Sequence, residues 1–242
     1  MFITPSPVFD ASVSGGADNL GNLPEWDLND LYQGTDDPKI NQDLVWLESE
    51  CAAFAADYEG KLAELNADYM LTCIQRNEKI STVAGRIMSF AGLRYYQLTT
   101  DGERTKFLSD AQEKITVFTT PLVFFTLELN RLSEEALTAL FDANADLARY
   151  RPAIRRIRAL EPYQLSDELE KFLHDLGAVG DAWEKLFDET IAGLTFDIEG
   201  EDLNIEATLN MLTEQDRSKR EMAARELARV FGENIRTFAR VH

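Results

Sequence analysis

Most of the chain carries apolar residues at every third or fourth position, the spacing that places them on one face of an α-helix. This pattern predicts a helix over about residues 37–58, a longer helix over about 66–98, and a third that begins at Asp101 and kinks at Pro121. Short polar stretches separate these segments. The sequence therefore predicts long antiparallel helices joined by short loops.

Helix-start signals divide the next part of the chain. Ser133 and Ser166 each precede acidic residues and an apolar helical pattern, so each is predicted to be an N-cap. Gly180 is expected to separate the helix that starts at Ser166 from another that ends near Gly193. The predicted fold class is all-α, built from long antiparallel helices.

One stretch, LTFDIEGEDLNI at residues 194–205, departs from the helical spacing. Apolar and polar residues alternate on both sides of an acidic turn, which is the two-residue period of a β-strand. We therefore predict a small β-hairpin near residues 194–205. The segment TEQD at residues 213–216 resembles a capping box, which predicts that a last helix begins there.

The first 22 residues differ from the rest of the chain. They combine Ser, Pro, Gly, Asp and Asn with few apolar positions, which predicts a flexible N-terminal arm over residues 1–22. The residues expected to anchor this arm are Trp26, Leu28, Leu31 and Tyr32. A helical domain is predicted over residues 23–193, and the hairpin with the last helix over residues 194–242 forms a further unit.

The net charge of −19 comes from 43 acidic and 24 basic residues. Such a surface repels nucleic-acid phosphates and anionic lipids, so we expect neither nucleic acid nor a membrane as a partner. No apolar run reaches the roughly 18 residues of a membrane span, and the first residues lack the pattern of a secretory signal. Two isolated cysteines fit a reducing compartment, and the expected location is the cytoplasm.

Four residues could in principle bind a soft metal ion: Cys51, Cys73, His174 and His242. They are separated by 22, 101 and 68 residues, without the close pair that nucleates a zinc site. The acidic turn also fails as a calcium loop of the EF-hand kind, because Gly200 stands fourth from Asp197 instead of sixth. We therefore expect no metal site here and interpret the turn as a solvated hairpin turn.

A basic cluster, RYRPAIRRIR at residues 149–158, is the other candidate for binding. Its arginines, Arg149, Arg151, Arg155, Arg156 and Arg158, could hold a phosphate or a peptide carboxylate. Pairing with the protein's own acids is the favoured interpretation, given 43 of them.

The aromatic pair Tyr95-Tyr96 is expected to lie in the core or in an interface, and not to form a platform for a ligand.

The chain has no Gly-rich phosphate loop, no GxSxG, no HExxH and no Cys–His pair placed for nucleophilic chemistry. The sequence thus predicts no catalytic, cofactor-binding or metal-binding residue in this chain.

From LPEWDLNDLYQG to the last helix, the chain resembles the front part of oligoendopeptidase F, a family of zinc metallopeptidases related to the thimet oligopeptidases. The similarity is closest in LELNRLSEEALTALFDANADLARYRPAIRRIRALEPYQLSDELEKFLHDLGAVGDAWEKLFDETIAG, where Trp183 stands in the family's tryptophan helix. The resemblance covers nearly everything from Leu23 to His242, through the order and spacing of many weak features.

This resemblance implies a cytoplasmic enzyme that hydrolyses short, unfolded peptides inside a mostly helical, bowl-shaped shell. In the family, an HExxH helix supplies two histidine ligands and a glutamate base, and a downstream glutamate completes the zinc site. None of these residues is in this chain, so zinc is expected in a full-length parent and not here. Residues 194–242 would then be the hairpin and first helix of a truncated peptidase domain.

Two hypotheses about function stay open. The segment NIRTFARVH ends without a helix-stop signal, so we expect an N-terminal portion of such an enzyme that restricts access of substrates; a natural short homologue is the alternative. The second hypothesis is a stand-alone helical module that binds a peptide or protein without catalysis. The residues of the last helix that we expect to lack partners and to support self-association are Val230, Phe231, Ile235 and Phe238.

Overall fold

A computed structural model describes residues 26–241, except for the side chains of Ala178 and Val241. The arm predicted over residues 1–22 lies outside these residues. The predicted all-α fold with one small hairpin is confirmed. The elements are α1 (Pro38–Tyr58), α2 (Ala67–Gln97), α3 (Gly102–Thr119), α4 (Val123–Arg131), α5 (Glu134–Ala143), α6 (Ala145–Ala148), α7 (Arg151–Arg158), α8 (Asp167–Ala192), β1 (Phe196–Ile198), β2 (Glu201–Leu203), α9 (Ile205–Met211) and α10 (Arg217–Val241).

Polar side chains begin the helices where the sequence indicated. The carboxylate of Asp37 accepts from the backbone N–H of Lys39 at 2.9 Å, and Pro38 follows at the first helical position. Ser133 and Ser166 accept from the third residue after them, as predicted. Each such cap satisfies an otherwise unpaired N–H and contributes about 0.5–2 kcal/mol. The expected kink at Pro121 is a short 3₁₀ turn, Thr120–Leu122, which ends α3.

The main core lies between α1, α2 and α3 and extends under α4 to α7. Leu47 and Phe54 of α1 and Ile87 and Phe90 of α2 are all fully buried in this core. Phe54 also packs on Phe124 of α4, with ring centroids 5.9 Å apart. Each large side chain removed from water contributes about 1.5–3 kcal/mol, so this cluster contributes strongly to the stability of the helical domain.

The segment before α1 is fixed by Tyr32. Its ring packs edge-on against Phe90 at 5.4 Å, and its hydroxyl donates to the carboxylate of Asp43 at 2.7 Å. Arg86 donates to the same carboxylate at 2.6 Å, so this partly buried group is paired. Leu28 and Leu31 pack on the core as expected, whereas Trp26 is 67% exposed and is not part of the anchor.

Two predicted helix boundaries are wrong. Helix α8 continues from Asp167 to Ala192 through Gly177 and Gly180, so Gly180 separates nothing. A glycine inside a helix costs about 1 kcal/mol, which the other residues of a 26-residue helix offset. The last helix is present, but the capping box predicted at residues 213–216 does not begin it. Asp216 caps α10 by accepting from the N–H of Ser218 at 2.8 Å.

The predicted hairpin is confirmed, with shorter strands. Strands β1 and β2 are antiparallel, with Phe196 opposite Leu203, and the turn residues Glu199 and Gly200 both have positive φ. Such a turn matches the twist of the two strands. Ile205 does not continue β2. Instead, Ile205 begins α9, a helix that was not predicted. The helix begins there because the side chain of Asn204 caps it by accepting from the N–H of Ala207 at 2.9 Å.

A second, smaller core joins the hairpin to α10. Phe196 of β1 is fully buried with Leu227 and Val230 of α10, and Phe231 packs on the same ring at 5.8 Å. The expectation that the last helix lacks partners is therefore wrong for Val230 and Phe231, and also for Phe238, which packs on α8. Ile235 is 62% exposed. Self-association through this helix stays a prediction, with a smaller apolar surface than the sequence indicated.

Candidate functional site

Helix α8 presents its apolar residues to the outside. No described side chain of this helix is buried. Eight of its large apolar residues are between 36% and 56% exposed. We call them the apolar stripe: Leu169, Phe172, Leu173, Leu176, Val179, Trp183, Leu186 and Phe187. Large exposed apolar patches on a folded protein are typical of interaction surfaces, so the stripe is the main candidate for a functional surface.

The side of α8 that contacts α3 is polar instead. His174 Nε2 lies 3.2 Å from Thr119 Oγ1 and 3.3 Å from the carbonyl oxygen of Thr116. One residue further along α8, the carboxylate of Asp175 accepts from the hydroxyl of Thr120 at 2.6 Å. These contacts fix the first half of α8 to the end of α3 through hydrogen bonds.

The second half of α8 is held in the same way. Lys185 donates to the hydroxyl of Ser109 at 3.0 Å and to the side-chain oxygen of Gln112. The amide group of Gln112 donates in turn to Asp181 at 3.0 Å. Partial burial lowers the pKa of Lys185, and the nearby carboxylates of Asp181 and Glu189 oppose that shift. The contacts of His174, Asp175, Asp181 and Lys185 with α3 and the 3₁₀ turn form what we call the polar seam.

Helix geometry places the stripe and the seam on opposite sides. The seam residues follow His174 at whole turns of the helix: Asp181 lies seven residues after it, about two turns, and Lys185 eleven residues after it, about three turns. All three therefore share one side of α8. Trp183 lies nine residues after His174, and Leu176 nine before Lys185. Nine residues are about two and a half turns, which is the opposite side. The body of the protein therefore holds α8 by its polar side and leaves the apolar side uncovered.

Helix α10 covers one end of the stripe. The ring of Phe238 packs on Phe187 with centroids 5.3 Å apart. Next to this contact is a shallow hollow of about 350 Å³ lined by Trp183, Glu184, Phe187 and Asp188. The hollow combines two aromatic rings with two carboxylates, a set that suits a basic side chain.

Charge differs sharply between the two helices that meet here. Helix α8 contains eight acidic residues and two lysines, whereas α10 contains seven basic and three acidic residues. Glu168, Asp175 and Glu184 are exposed, and each is the chain neighbour of a stripe residue. Glu168 and Asp175, seven residues apart, lie along one edge of the stripe, and Glu184 lies along the other. The stripe is thus an apolar surface with acidic borders.

The basic cluster mainly serves the fold. The side chain of Arg158 is 11% exposed and donates to the carbonyl oxygens of Leu129 and Asn130 at 2.8 and 2.9 Å. It also donates to Glu134 at 2.9 Å, so it closes the end of α4. The expected pairing with the protein's own acids is confirmed for Arg158. Arg151 lies 3.9 Å from Asp142.

The remaining arginines of this cluster are more open. Arg149 lies 4.0 Å from Asp146, at the limit of an ion pair. Arg155 and Arg156 are exposed and form no ion pair with residues 26–241.

The two residues of the aromatic pair Tyr95-Tyr96 lie in different surroundings. Tyr95 is buried in the core, as expected, and Tyr96 is exposed.

Of the four residues considered for a metal site, no three come together in the described part of the chain. Cys51 and Cys73 are fully buried in the main core, and burial raises the pKa of their thiols to about 11 and about 12. His174 lies in the polar seam. His242 is outside the described residues. Within residues 26–241, no group of three or more His, Cys, Asp or Glu is arranged to hold a metal ion, so the residues present do not fit a zinc site.

The acidic turn of the hairpin uses its carboxylate internally. Asp197 accepts from the N–H of Gly200 at 2.8 Å, which closes the turn. The interpretation as a hairpin turn is therefore confirmed. Among the helices of the described part, none is both long and apolar enough to cross a membrane.

Comparison with known proteins shows what this chain is similar to. The family model described as Oligopeptidase F matches residues 128–196, a segment that contains the whole of α8. The crystal structure of oligoendopeptidase-F from Enterococcus faecium superposes on this fold with a TM-score of 0.71 and 24% sequence identity, over 83% of this chain and 41% of that one. The resemblance to oligoendopeptidase F is confirmed.

The resemblance in sequence and the resemblance in fold cover different lengths of the chain. Residues 128–196 match the Oligopeptidase F model in sequence, and the Enterococcus faecium structure shares the fold over most of the chain. The chain spans less than half of the length of that oligoendopeptidase-F. A search of the curated proteins finds no match.

The outward stripe of α8 was not predicted. The only signal for it in the sequence is the spacing of His174, Asp181 and Lys185 opposite the apolar residues. That spacing defines two faces but does not say which face contacts α3. The sequence alone could therefore not have identified this surface.

Proposed function

We propose that this chain is the N-terminal, substrate-restricting part of a zinc metallo-oligopeptidase that hydrolyses short peptides. The observation that carries the proposal is the fold shared with oligoendopeptidase-F over 83% of the chain. The match of residues 128–196 to the Oligopeptidase F model supports it independently of the superposition.

The proposed role follows from the shape and rigidity of the helical domain. Helices α1 to α4 pack around one continuous core, so they form a wall that does not yield easily. A rigid wall beside a catalytic centre admits an extended peptide and keeps out a folded domain. Discrimination by size then requires no catalytic residue on the wall itself.

The chemistry of hydrolysis would come from outside these residues. In a zinc peptidase the metal ion polarises the scissile carbonyl and lowers the pKa of a bound water. The residues described here do not fit such a site. We therefore propose that the isolated 242-residue chain neither binds zinc stoichiometrically nor cleaves peptides.

A cytoplasmic location is part of the proposal. Cys51 and Cys73 are free thiols in the main core, which suits a reducing compartment. Their burial and raised pKa keep them in the unreactive thiol form.

The experiment compares two purified proteins: the product of the natural gene and the 242-residue chain. We expect the gene product to contain zinc, to cleave short unfolded peptides and to leave folded proteins intact, and we expect a chelator to abolish cleavage. The 242-residue chain should do none of this. A gene product that holds no zinc and cleaves no peptide would rule out the proposal.

A second candidate is a stand-alone module that binds peptides or proteins without catalysis. The observation that favours it is the apolar stripe with its aromatic and acidic hollow, which is accessible in this chain. The reading frame after His242 separates the two candidates. An open frame that encodes HExxH on a helix supports the peptidase, and a stop codon supports the module.

A further inference from the structure

We propose that the apolar stripe of α8 is the surface on which the peptidase part of the protein packs, through a face that is apolar in its centre and basic at its borders. This inference rests on the proposed function and adds to it a particular interface. The stripe would then be buried in the complete protein and exposed only in the separate chain.

The orientation of α8 is the first argument. The polar seam fixes the helix to the body through His174, Asp181 and Lys185, so α8 cannot turn its apolar side inward without losing those hydrogen bonds. Eight large apolar side chains remain on the other side. A surface of this size on a folded protein calls for a partner.

Continuity with α10 is the second argument, and it indicates which partner. Helix α10 belongs to the segment 194–242, which the resemblance assigns to the beginning of the peptidase domain. Its Phe238 already packs on Phe187, at the C-terminal end of the stripe. The peptidase part therefore begins next to the stripe, and the uncovered length from Leu169 to Trp183 extends away from that contact.

Charge is the third argument, and it selects against a second copy of the same surface. Two copies placed stripe against stripe would bring the exposed carboxylates of Glu168, Asp175 and Glu184 close to one another. A partner with basic borders avoids this repulsion. Helix α10, with seven basic and three acidic residues, gives an example of that chemistry within the chain.

The fourth argument is the length of the related protein. This chain covers 41% of the Enterococcus faecium oligoendopeptidase-F, so more than half of that protein lies outside the shared region. A related protein of similar length would have enough additional chain to cover the stripe.

Tryptophan fluorescence offers a direct test, because one of the three tryptophans lies in the stripe. With Trp26→Phe and Trp46→Phe combined, Trp183 is the only tryptophan of these 242 residues. Quenching by acrylamide is measured in the 242-residue chain and in the natural gene product, with any tryptophans beyond residue 242 also replaced by Phe. Acrylamide is uncharged, so the net charge of −19 does not repel it.

We expect the quenching slope of Trp183 to be severalfold smaller in the gene product than in the 242-residue chain. The matched control keeps Trp26 in place of Trp183; Trp26 lies outside the stripe and is exposed, so its slope should be high in both proteins. In the gene product, the combined substitution Glu168→Lys and Glu184→Lys, which leaves the polar seam intact, should raise the Trp183 slope severalfold. The same number of reversals at Glu48 and Glu64, which are exposed on other elements, should not.

Each other outcome would overturn the inference. Equal slopes for Trp183 in the two proteins, including the case in which the gene product ends at His242, would show that no further part covers the stripe. A slope in the 242-residue chain that falls as its concentration rises would identify a second copy as the occupant. Peptide hydrolysis is assayed separately, so a gene product that cleaves peptides while Trp183 stays exposed would refute the interface and leave the proposed function intact.

Discussion

Helices α2 and α8 are the two longest of the described part, and they use the same kind of sequence in opposite ways. Both carry apolar residues at helical spacing along one side. Helix α2 buries that side, with Ile80, Ile87 and Phe90 in the main core. Helix α8 exposes it and contacts the body through its polar side. Periodicity therefore defines the faces of a helix, whereas the neighbouring elements decide which face is turned inward.

The largest expected difference between these helices is in stability. We expect Phe90→Ala in α2 to lower the free energy of unfolding by about 3–5 kcal/mol, because it leaves a cavity in the core. Phe172→Ala in α8 should lower it by less than about 1 kcal/mol, because that ring is already half exposed. Chemical denaturation of the two variants measures both values. Equal losses would mean that the stripe is part of a core in the isolated chain.

A second comparison is within the basic cluster. We expect Arg158→Ala to cost about 1–3 kcal/mol, because it leaves the buried carbonyl groups at the end of α4 without their donor. Arg155→Ala, one turn earlier on α7 and exposed, is the matched control and should stay within about 0.5 kcal/mol. Denaturation curves again give the result. A neutral Arg158→Ala would show that the bonds to Leu129 and Asn130 contribute little.

These comparisons indicate how far the sequence could predict the fold. Helix starts at Asp37, Asn66 and Ser133 follow from local chemistry, because a side chain caps the N–H groups of its own chain. The hairpin could be predicted because apolar and polar residues alternate along its two strands. The continuity of α8 through Gly180 could not be predicted, because a long helix tolerates a glycine whose cost its other residues offset.

The candidate surface was less accessible to prediction than the helices. The resemblance to oligoendopeptidase F indicated a scaffold without catalytic residues. Two contacts decide which surfaces stay open: the polar seam between α3 and α8, and the hairpin that covers Val230 and Phe231. Both join residues that are distant in the chain, and no local pattern encodes such a contact.

A smaller effect concerns self-association of the 242-residue chain. Ile235 of α10 is a large apolar residue that is 62% exposed, so we expect association through this helix to depend on it. We expect weak association that increases with ionic strength, because salt screens the repulsion between copies of net charge −19. Ile235→Ser should reduce it. Sedimentation of the unmodified chain as a monomer at every salt concentration would contradict this prediction.

The smallest expected effect is a pH dependence at the hairpin. Glu226 accepts from the N–H of Asp197 and from Arg229, and the pairing with Arg229 lowers its pKa from 4.5 to about 2. The folded pKa is the lower one, so this contribution to stability is present above pH 4.5 and is lost as the pH falls toward 2. Glu226→Gln should flatten the loss of hairpin protection across this range, measured by hydrogen exchange. An unchanged acid profile in the variant would rule out Glu226 as the cause.

The outward orientation of α8 is the central claim, and thiol labelling of the 242-residue chain tests it most directly. The natural thiols Cys51 and Cys73 are buried with raised pKa, so they react slowly under native conditions. We predict that a thiol introduced by Phe172→Cys in the stripe reacts at nearly the rate of an unfolded control. A thiol introduced by Ile87→Cys on the buried side of α2 should react only as fast as the protein unfolds. If the Phe172→Cys thiol is as slow as the one at position 87, the stripe faces inward and the account is wrong.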